Sequence, residues 1–321
     1  MFLFSVGACA VPAAAQLIPF LGGQRAGISS LQFLKIAPGA RAAAMAEAFT
    51  ALADDPTALH FNPAGIARMD GFQVTFSHTA WLVDIRHEYA AVTYRLSPAD
   101  AVGVSITSLG TDDMEIRTET QPFGTGRYFS YGDIGVTCTY ARSLTDRFSA
   151  GITIRYAEEK IDALKTRAVM VDIGTFYLTG LGSTRFAVTV NNFGANISPA
   201  GSITQRDGST VSSFQDFSPP TVFRIGFAFE PYEDEHHRLT ASIQLNHPND
   251  NSENLGVGAE YAWERIFFAR AGYKINTDEE GLTAGVGISA PLGFARTGVD
   301  YAFSLYKTLN SVHRVTITLA L

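Results

Sequence analysis

The chain has 321 residues and a formal net charge of −7, with no Lys/Arg cluster anywhere, which excludes a polyanion-binding surface for nucleic acid. Charged residues make up only 17% of the sequence and aromatics 12%, with 23 Phe and 12 Tyr against 2 Trp, and 29 glycines recur inside apparent strands. No run of about 18 apolar residues follows the first few positions, which leaves no helix able to span a bilayer.

In chain order, MFLFSVGACAVPAAAQ reads as a signal peptide over residues 1–15. A short apolar stretch ends in small residues, with cleavage after Ala15 and before Gln16. A basic n-region is missing, and lipidation at Cys9 competes, although Gly7 fits a lipoprotein site poorly. With Cys9 in the leader, Cys138 is the one thiol of the mature chain, so no internal disulfide forms. Residues 16–71 form an N-terminal periplasmic or plug segment. Its Ala-rich part, Gly39 to Gly71, looks helical.

From Phe72 to Leu321 the hydrophobic pattern switches to period two. Phe148, Ala150, Ile152, Ile154 and Tyr156 share one face, while Ser149, Gly151, Thr153 and Arg155 share the other. Phe223, Ile225, Phe227 and Phe229 oppose Arg224, Gly226 and Ala228. Val315, Ile317 and Leu319 oppose Thr316, Thr318 and Ala320. A soluble sandwich alternates too, but its strands are about 5–6 residues long, whereas a tilted membrane strand needs about 9–11. The segments at 86–96, 127–142, 147–162, 166–179, 265–275 and 294–306 reach or exceed that span.

About fourteen such segments begin near residues 72, 86, 100, 127, 147, 166, 184, 221, 238, 252, 265, 281, 294 and 311. Short turns such as Ser97-Pro98-Ala99, Thr145-Asp146 and Gly180-Leu181-Gly182 alternate with longer polar links at 111–126, 194–220 and 247–254. An even count with short turns on one side and long loops on the other is the outer-membrane pattern. The expected fold is an all-β membrane protein. It is an antiparallel transmembrane β-barrel of about fourteen strands over 72–321, with an N-terminal helical plug segment.

Candidate chemistry is sparse. Asn62-Pro63-Ala64 is either a local helix start, with Asn62 as cap and Pro63 in first position, or part of a plug that fills a wide lumen. Asp54, Asp55 and His60 suggest a metal, but Asp-Asp-Pro is also an ordinary turn that starts a helix. His236-His237 falls in a predicted periplasmic turn. The acids Asp112, Asp113, Glu115, Glu119, Asp278, Glu279 and Glu280 fall in predicted outer loops, solvated or bridged by divalent ions to lipopolysaccharide. Ser77 and His78 point to opposite faces of one strand and cannot form a hydrolytic pair. No enzyme motif, metal-ligand set or cofactor site is expected. Cys138 shares a face with Ile134, Val136 and Tyr140, toward lipid.

Arg155, Arg224, Arg270 and Lys274 fall on inward faces, because a charge facing lipid is costly. They are candidate lumen contacts, either paired with acids such as Asp172, Glu260 and Asp300 or recognising an anionic group.

The stretch FLKIAPGARAAAMAEAFTALADDPTALHFNPAGIA resembles the opening of the PorV/PorQ family, outer-membrane proteins related to the FadL long-chain fatty-acid transporter. NNFGANIS with the following Ser-Pro-Pro-Thr-Val-Phe-Arg-Ile-Gly strand, and NLGVGAEYAWERIFFARAGYKINTDEEGLTAGVGI, are similar to that family as well. The resemblance singles out Arg41, Asp54, Asp55, Asn62, Pro63 and Ala64 as the plug motif and implies a fourteen-stranded barrel in the outer membrane. It also implies work in type IX secretion, where PorV-like members accept cargo bearing a C-terminal signal and pass it from translocon to attachment machinery. Implied partners are outer-membrane lipid and lipopolysaccharide, the translocon and its secreted cargo. The rival expectation is a FadL-like transporter of a hydrophobic ligand such as a long-chain fatty acid. A third is a passive structural partner in an envelope assembly. The final residue, Leu321, departs from the aromatic terminus common in such barrels.

Overall fold

A computed structural model describes residues 27–205, 207–309 and 311–321. The leader expected over residues 1–15, with Cys9 and the Ala15 cleavage site, lies outside the described residues.

Fourteen strands form the wall: β1 Phe72–Ala80, β2 Arg86–Arg95, β3 Asp100–Gly110, β4 Tyr131–Ser143, β5 Phe148–Ile161, β6 Leu164–Leu178 and β7 Arg185–Phe193 make one half. The other half is β8 Val222–Glu233, β9 His237–Pro248, β10 Asn254–Trp263, β11 Phe267–Ile275, β12 Glu280–Leu292, β13 Ala295–Tyr306 and β14 Val312–Ala320. Each strand pairs antiparallel with its sequence neighbours, and β1 pairs with β14 to close the barrel. Strand lengths run from 9 residues in β1 to 15 in β6, the length a tilted strand needs to cross a bilayer. Closure leaves no edge whose backbone would need water inside the hydrocarbon.

Period two explains which residues go where. Along β5, Ser149, Gly151, Thr153, Arg155 and Ala157 are buried inside, while Ile152, Ile154 and Tyr156 stand exposed outside. The same alternation leaves Phe76, Val104, Val136, Ile173, Val257, Val286 and Ile317 as an outward apolar belt that no protein covers. That belt is the lipid-facing surface. Cys138 lies on it, exposed and free. Phe148 packs near Tyr177 and Trp263 stacks on Phe267, aromatic pairs beside the short turns, where the bilayer meets water.

The turns on one side span 96–99, 144–147, 179–184, 234–236, 264–266 and 293–294. By the pattern of such barrels this is the periplasmic side. On the other side the connection at 111–130 carries a two-stranded hairpin, Met114–Glu115 with Tyr128–Phe129, and that at 194–221 carries Ile203–Thr204 with Thr210–Val211. Two features differ from the sequence expectation. The link between β5 and β6 is only Asp162–Ala163 although it lies on the long-loop side, because the two strands simply extend beyond their neighbours. Glu280, expected in a solvated loop, opens β12 and is partly buried.

The N-terminal segment is inside the barrel. It is a chain of single turns rather than a helix: Gln32–Lys35, α1 Ala40–Ala44, α2 Ala58–Phe61 and a 3-10 turn at Pro63–Arg68. Its alanines fill the lumen with little side-chain volume, and Met45, Phe49, Leu59 and Phe61 are completely enclosed. Inward glycines let its backbone touch the wall. A β-carbon added to Gly151 would sit 2.5 Å from the Pro63 carbonyl carbon, and at Gly258 2.5 Å from the Met45 carbonyl oxygen.

Gly258 and Ala259 therefore make a matched pair on opposite faces. Gly258→Val is expected to lower stability by about 1–3 kcal/mol by forcing the plug off the wall. Ala259→Val, on the lipid face, is expected to leave it within about 0.5 kcal/mol. Unfolding in detergent micelles measures both.

Candidate functional site in the plugged lumen

An irregular segment inside a barrel carries backbone donors and acceptors that no helix satisfies. The wall supplies them. The Ala40 amide donates to Thr316 Oγ1 at 2.8 Å and the Ala46 amide to Thr283 Oγ1 at 3.1 Å, while Thr283 Oγ1 donates to the Ala44 carbonyl at 2.9 Å. Gln244 Oε1 accepts from the Phe49 and Thr50 amides at 3.1 and 2.8 Å. Asn191 Nδ2 donates to the His60 carbonyl at 3.3 Å. Alternation puts Thr316 on an inner face but reveals none of these partners, because a hydroxyl or carboxamide there looks like generic lumen lining.

Asn62 works in both directions. Its Oδ1 accepts from the Ala64 amide at 3.0 Å, the cap expected from Asn-Pro-Ala. Its Nδ2 donates to the Thr50 carbonyl at 3.0 Å and to the Thr175 carbonyl of β6 at 3.1 Å. So the local cap and the wall contact are one side chain.

Arg41 joins plug to wall by charge. Its guanidinium binds Glu260 of β10 through Nε at 2.8 Å and Nη2 at 3.1 Å, and it also binds Asp54 and, at 3.5 Å, Asp55. Glu260 is shared with Arg270 of β11 at 2.6 Å, and Arg270 reaches on to Asp300 of β13 at 2.6 Å. Asp55 Oδ1 also accepts from the Thr57 amide at 2.9 Å, fixing the Asp-Asp-Pro turn. Asp54 and Asp55 thus face an arginine, while His60 lies elsewhere. Burial, with Arg155 and Arg224 nearby, holds the His60 imidazole well below its ordinary pKa and so neutral. Among the described residues no group of three or more His, Cys, Asp and Glu is placed to hold a metal.

Of the other inward cations, Arg155 pairs with fully buried Asp172 at 2.6 Å, and Asp172 also accepts from the Asn192 amide at 2.6 Å. Lys274 binds Glu47 of the plug at 2.9 Å and Glu280. Ala46 and Glu47 both adopt positive φ, 53° and 60°, a conformation non-glycine residues enter at a cost. It is held here by Thr283 and Lys274. Arg224 differs: its guanidinium donates to Asn191 Oδ1 at 2.7 Å.

The plug divides the lumen. Towards the long loops lies a cavity of about 690 Å³, with Lys35, Glu47, Arg224, Lys274 and Glu280 in its lining. Towards the periplasm lies one of about 210 Å³ between Arg41, Asp54, Arg68, Arg185 and Glu230. They share no lining residue. Asp250 in the link after β9 grips the plug's first turn, accepting from Gln32 at 2.7 Å and Lys35 at 2.9 Å.

The remaining sequence candidates do not converge. Ser77 is buried inside against Thr316 at 2.8 Å, whereas His78 is outside with Glu88 at 2.7 Å. His236 and His237 lie at the turn, where His237 begins β9, and their amides donate to Asp234 Oδ1 at 2.8 and 2.6 Å. Asp112 pairs with Arg86 at 2.6 Å on the outer rim.

The family model described as "Type IX secretion system protein PorV" matches residues 22–248, well over half of the chain. The chain belongs to the PorV family. As a PorV-family barrel it is a protein of the bacterial outer membrane. No curated protein matches it. Among solved structures it is similar to the CymD monoaromatic hydrocarbon channel, at TM-score 0.58 and 11% identity over 88% of this chain and 96% of that one. The Pseudomonas putida toluene transporter TodX follows at 0.57 and 13%, over 92% and 98%. A Pseudomonas aeruginosa FadL homologue is at 0.56 and 12%, over 88% and 97%. At these identities the likeness is one of fold. The PorV-family chain and these three proteins share an overall fold over most of their lengths.

Two outcomes test the local chemistry. Glu260→Gln strips the shared carboxylate from Arg41 and Arg270 and is expected to cost about 3–5 kcal/mol. Urea unfolding, with faster tryptic cleavage after Arg41, reads that loss, and an unchanged midpoint would show that the clasp carries no weight. At the periplasmic turn, hydrogen bonds from Tyr232 and from the His237 and His236 amides hold Asp234 down to about 2. A depressed carboxylate stabilises above its unfolded pKa and loses that contribution as pH falls through the folded one. Protection of the two histidine amides from exchange is therefore expected to persist at pH 4 and to fade towards pH 2.

Proposed function

We propose that this protein is a non-enzymatic component of type IX secretion that binds cargo bearing a C-terminal signal at its extracellular face and hands it on. Membership of the PorV family carries the reading. The plug agrees with it. Two cavities without a common lining residue, separated by fully enclosed Met45, Phe49 and Phe61, suit a platform better than an open conduit. The connections at 111–130 and 194–221 give that platform its surface, with Phe123 and Tyr128 exposed there.

The alternative is FadL-like transport of a hydrophobic molecule. It is favoured by the fold shared with a toluene transporter and a monoaromatic hydrocarbon channel. The polar lining of the larger cavity weighs against it.

Affinity capture with the tagged, detergent-extracted protein separates the two. Cargo with the C-terminal signal is expected to co-purify, and removal of 196–216 within the outer loop is expected to abolish capture while the barrel still folds. Failure to capture any signal-bearing protein, together with loss of labelled oleate uptake on gene deletion, would reverse the assignment.

A further inference from the structure

The larger cavity has a chemistry that neither reading uses. Its volume of about 690 Å³ is that of a small-molecule site, for which about 300–1,000 Å³ is usual. Yet only four of its eighteen lining side chains are apolar: Ile36, Trp81, Val222 and Pro248. Five are carboxamides, Gln32, Asn246, Asn251, Asn254 and Asn276. Several of these are already fixed in place. Gln244 Nε2 donates to Asn246 Oδ1 at 2.8 Å, Asn246 Nδ2 to Asn254 Oδ1 at 2.8 Å, and Asn276 Nδ2 to the Glu253 carbonyl at 2.5 Å. A carboxamide offers both donors and acceptors without charge, and an ordered array of them suits a ligand with hydroxyls of both roles.

The cations are unequal. Lys35 is taken by Asp250, and Lys274 by Glu47 and Glu280. Arg224 is buried, lines the cavity and, among the described residues, makes one side-chain hydrogen bond, to the neutral Asn191, and no ion pair. A guanidinium has five donors in a fork that matches a carboxylate. Glu47 and Asp172 act on this charge from a distance but neither carboxylate touches the guanidinium. Most of its donors therefore face the cavity wall without an anion in contact, a cost that a bound carboxylate would offset.

We propose that this vestibule binds an acidic saccharide, a short sugar chain whose carboxylate pairs with Arg224 while its hydroxyls meet the carboxamides. The lining argues against a hydrocarbon or acyl chain, which needs a continuous apolar wall. It argues against a peptide as well. Peptides are commonly taken up on a free strand edge, and the strands behind the carboxamides stay paired to their ends, with Asn246 opposite Asn254. The inference does not rest on the secretion reading, and cargo capture can succeed or fail independently of it.

Trp81 lines the vestibule, and the only other tryptophan is Trp263 near the periplasmic turn, so Trp263→Phe makes Trp81 a sole reporter. The full mature chain in micelles is titrated with trigalacturonic acid, with maltotriose, oleate and an acidic hexapeptide as comparators. A saturable change in Trp81 fluorescence is expected with trigalacturonate, at least tenfold weaker in Arg224→Gln. Asn251 is an exposed loop residue. Asn251→Glu is therefore expected to keep the wild-type melting midpoint and still weaken the acidic sugar at least tenfold, which secures the test if Arg224→Gln misfolds. No saturable response to trigalacturonate, equal binding of maltotriose, or tighter binding of oleate or the peptide would overturn the proposal.

Discussion

Everything in this molecule depends on one constraint: polar backbone cannot be left unpaired where water is scarce. The wall meets it by closing on itself, strand by strand. The plug cannot, because its turns are too short to satisfy their own amides and carbonyls. It is therefore stable only where Thr283, Thr316, Gln244, Asn191 and Asn62 complete its hydrogen bonds. The barrel's inner face is in effect the missing half of the plug's secondary structure. Gly151 and Gly258 belong to the same solution, since hydrogen bonds of that length require the two backbones to touch.

Charge follows the same logic at longer range. An isolated ion in the lumen is expensive, so Arg41, Arg155 and Arg270 meet acids from other strands or from the plug. Glu260 lies between Arg41 and Arg270, and Asp172 binds Arg155 and a backbone amide together. These clusters do more than neutralise charge. They fix the plug at a definite depth, with Arg41 held towards the periplasmic cavity and Lys35 tied to Asp250 towards the outer one. Arg224 and Arg314 differ, because their side-chain hydrogen-bond partners, Asn191 and Ser304, are neutral. With no carboxylate in contact and an open volume beside it, Arg224 is the residue on which the proposed ligand site rests.

Sharing a barrel with hydrocarbon channels does not transfer their chemistry, since function resides in the lining and the loops rather than in the scaffold. Here the outer vestibule is faced with amides and charges, and the space below it is packed with alanine and aromatic side chains. The proposed platform role rests on the filled lumen and the long outer links of this PorV-family member, not on the scaffold it shares.

Sequence alone determined the faces and the count. Period two in β5 or β14 cannot be read any other way once length rules out soluble strands, and short turns such as 144–147 against long links such as 194–221 set the orientation. Asn62-Pro63 declared its own cap, because capping involves neighbours two residues apart. What only the tertiary structure decided were relations across many residues. That Arg41 meets Glu260, that Glu280 leaves its loop to hold Lys274, and that the link at Asp162 is tight all depend on strand register and on the depth of the plug. Alternation assigns a residue to a face but leaves its height on that face open. Height is settled when a closed cylinder and its filling pack together, and no local pattern records it.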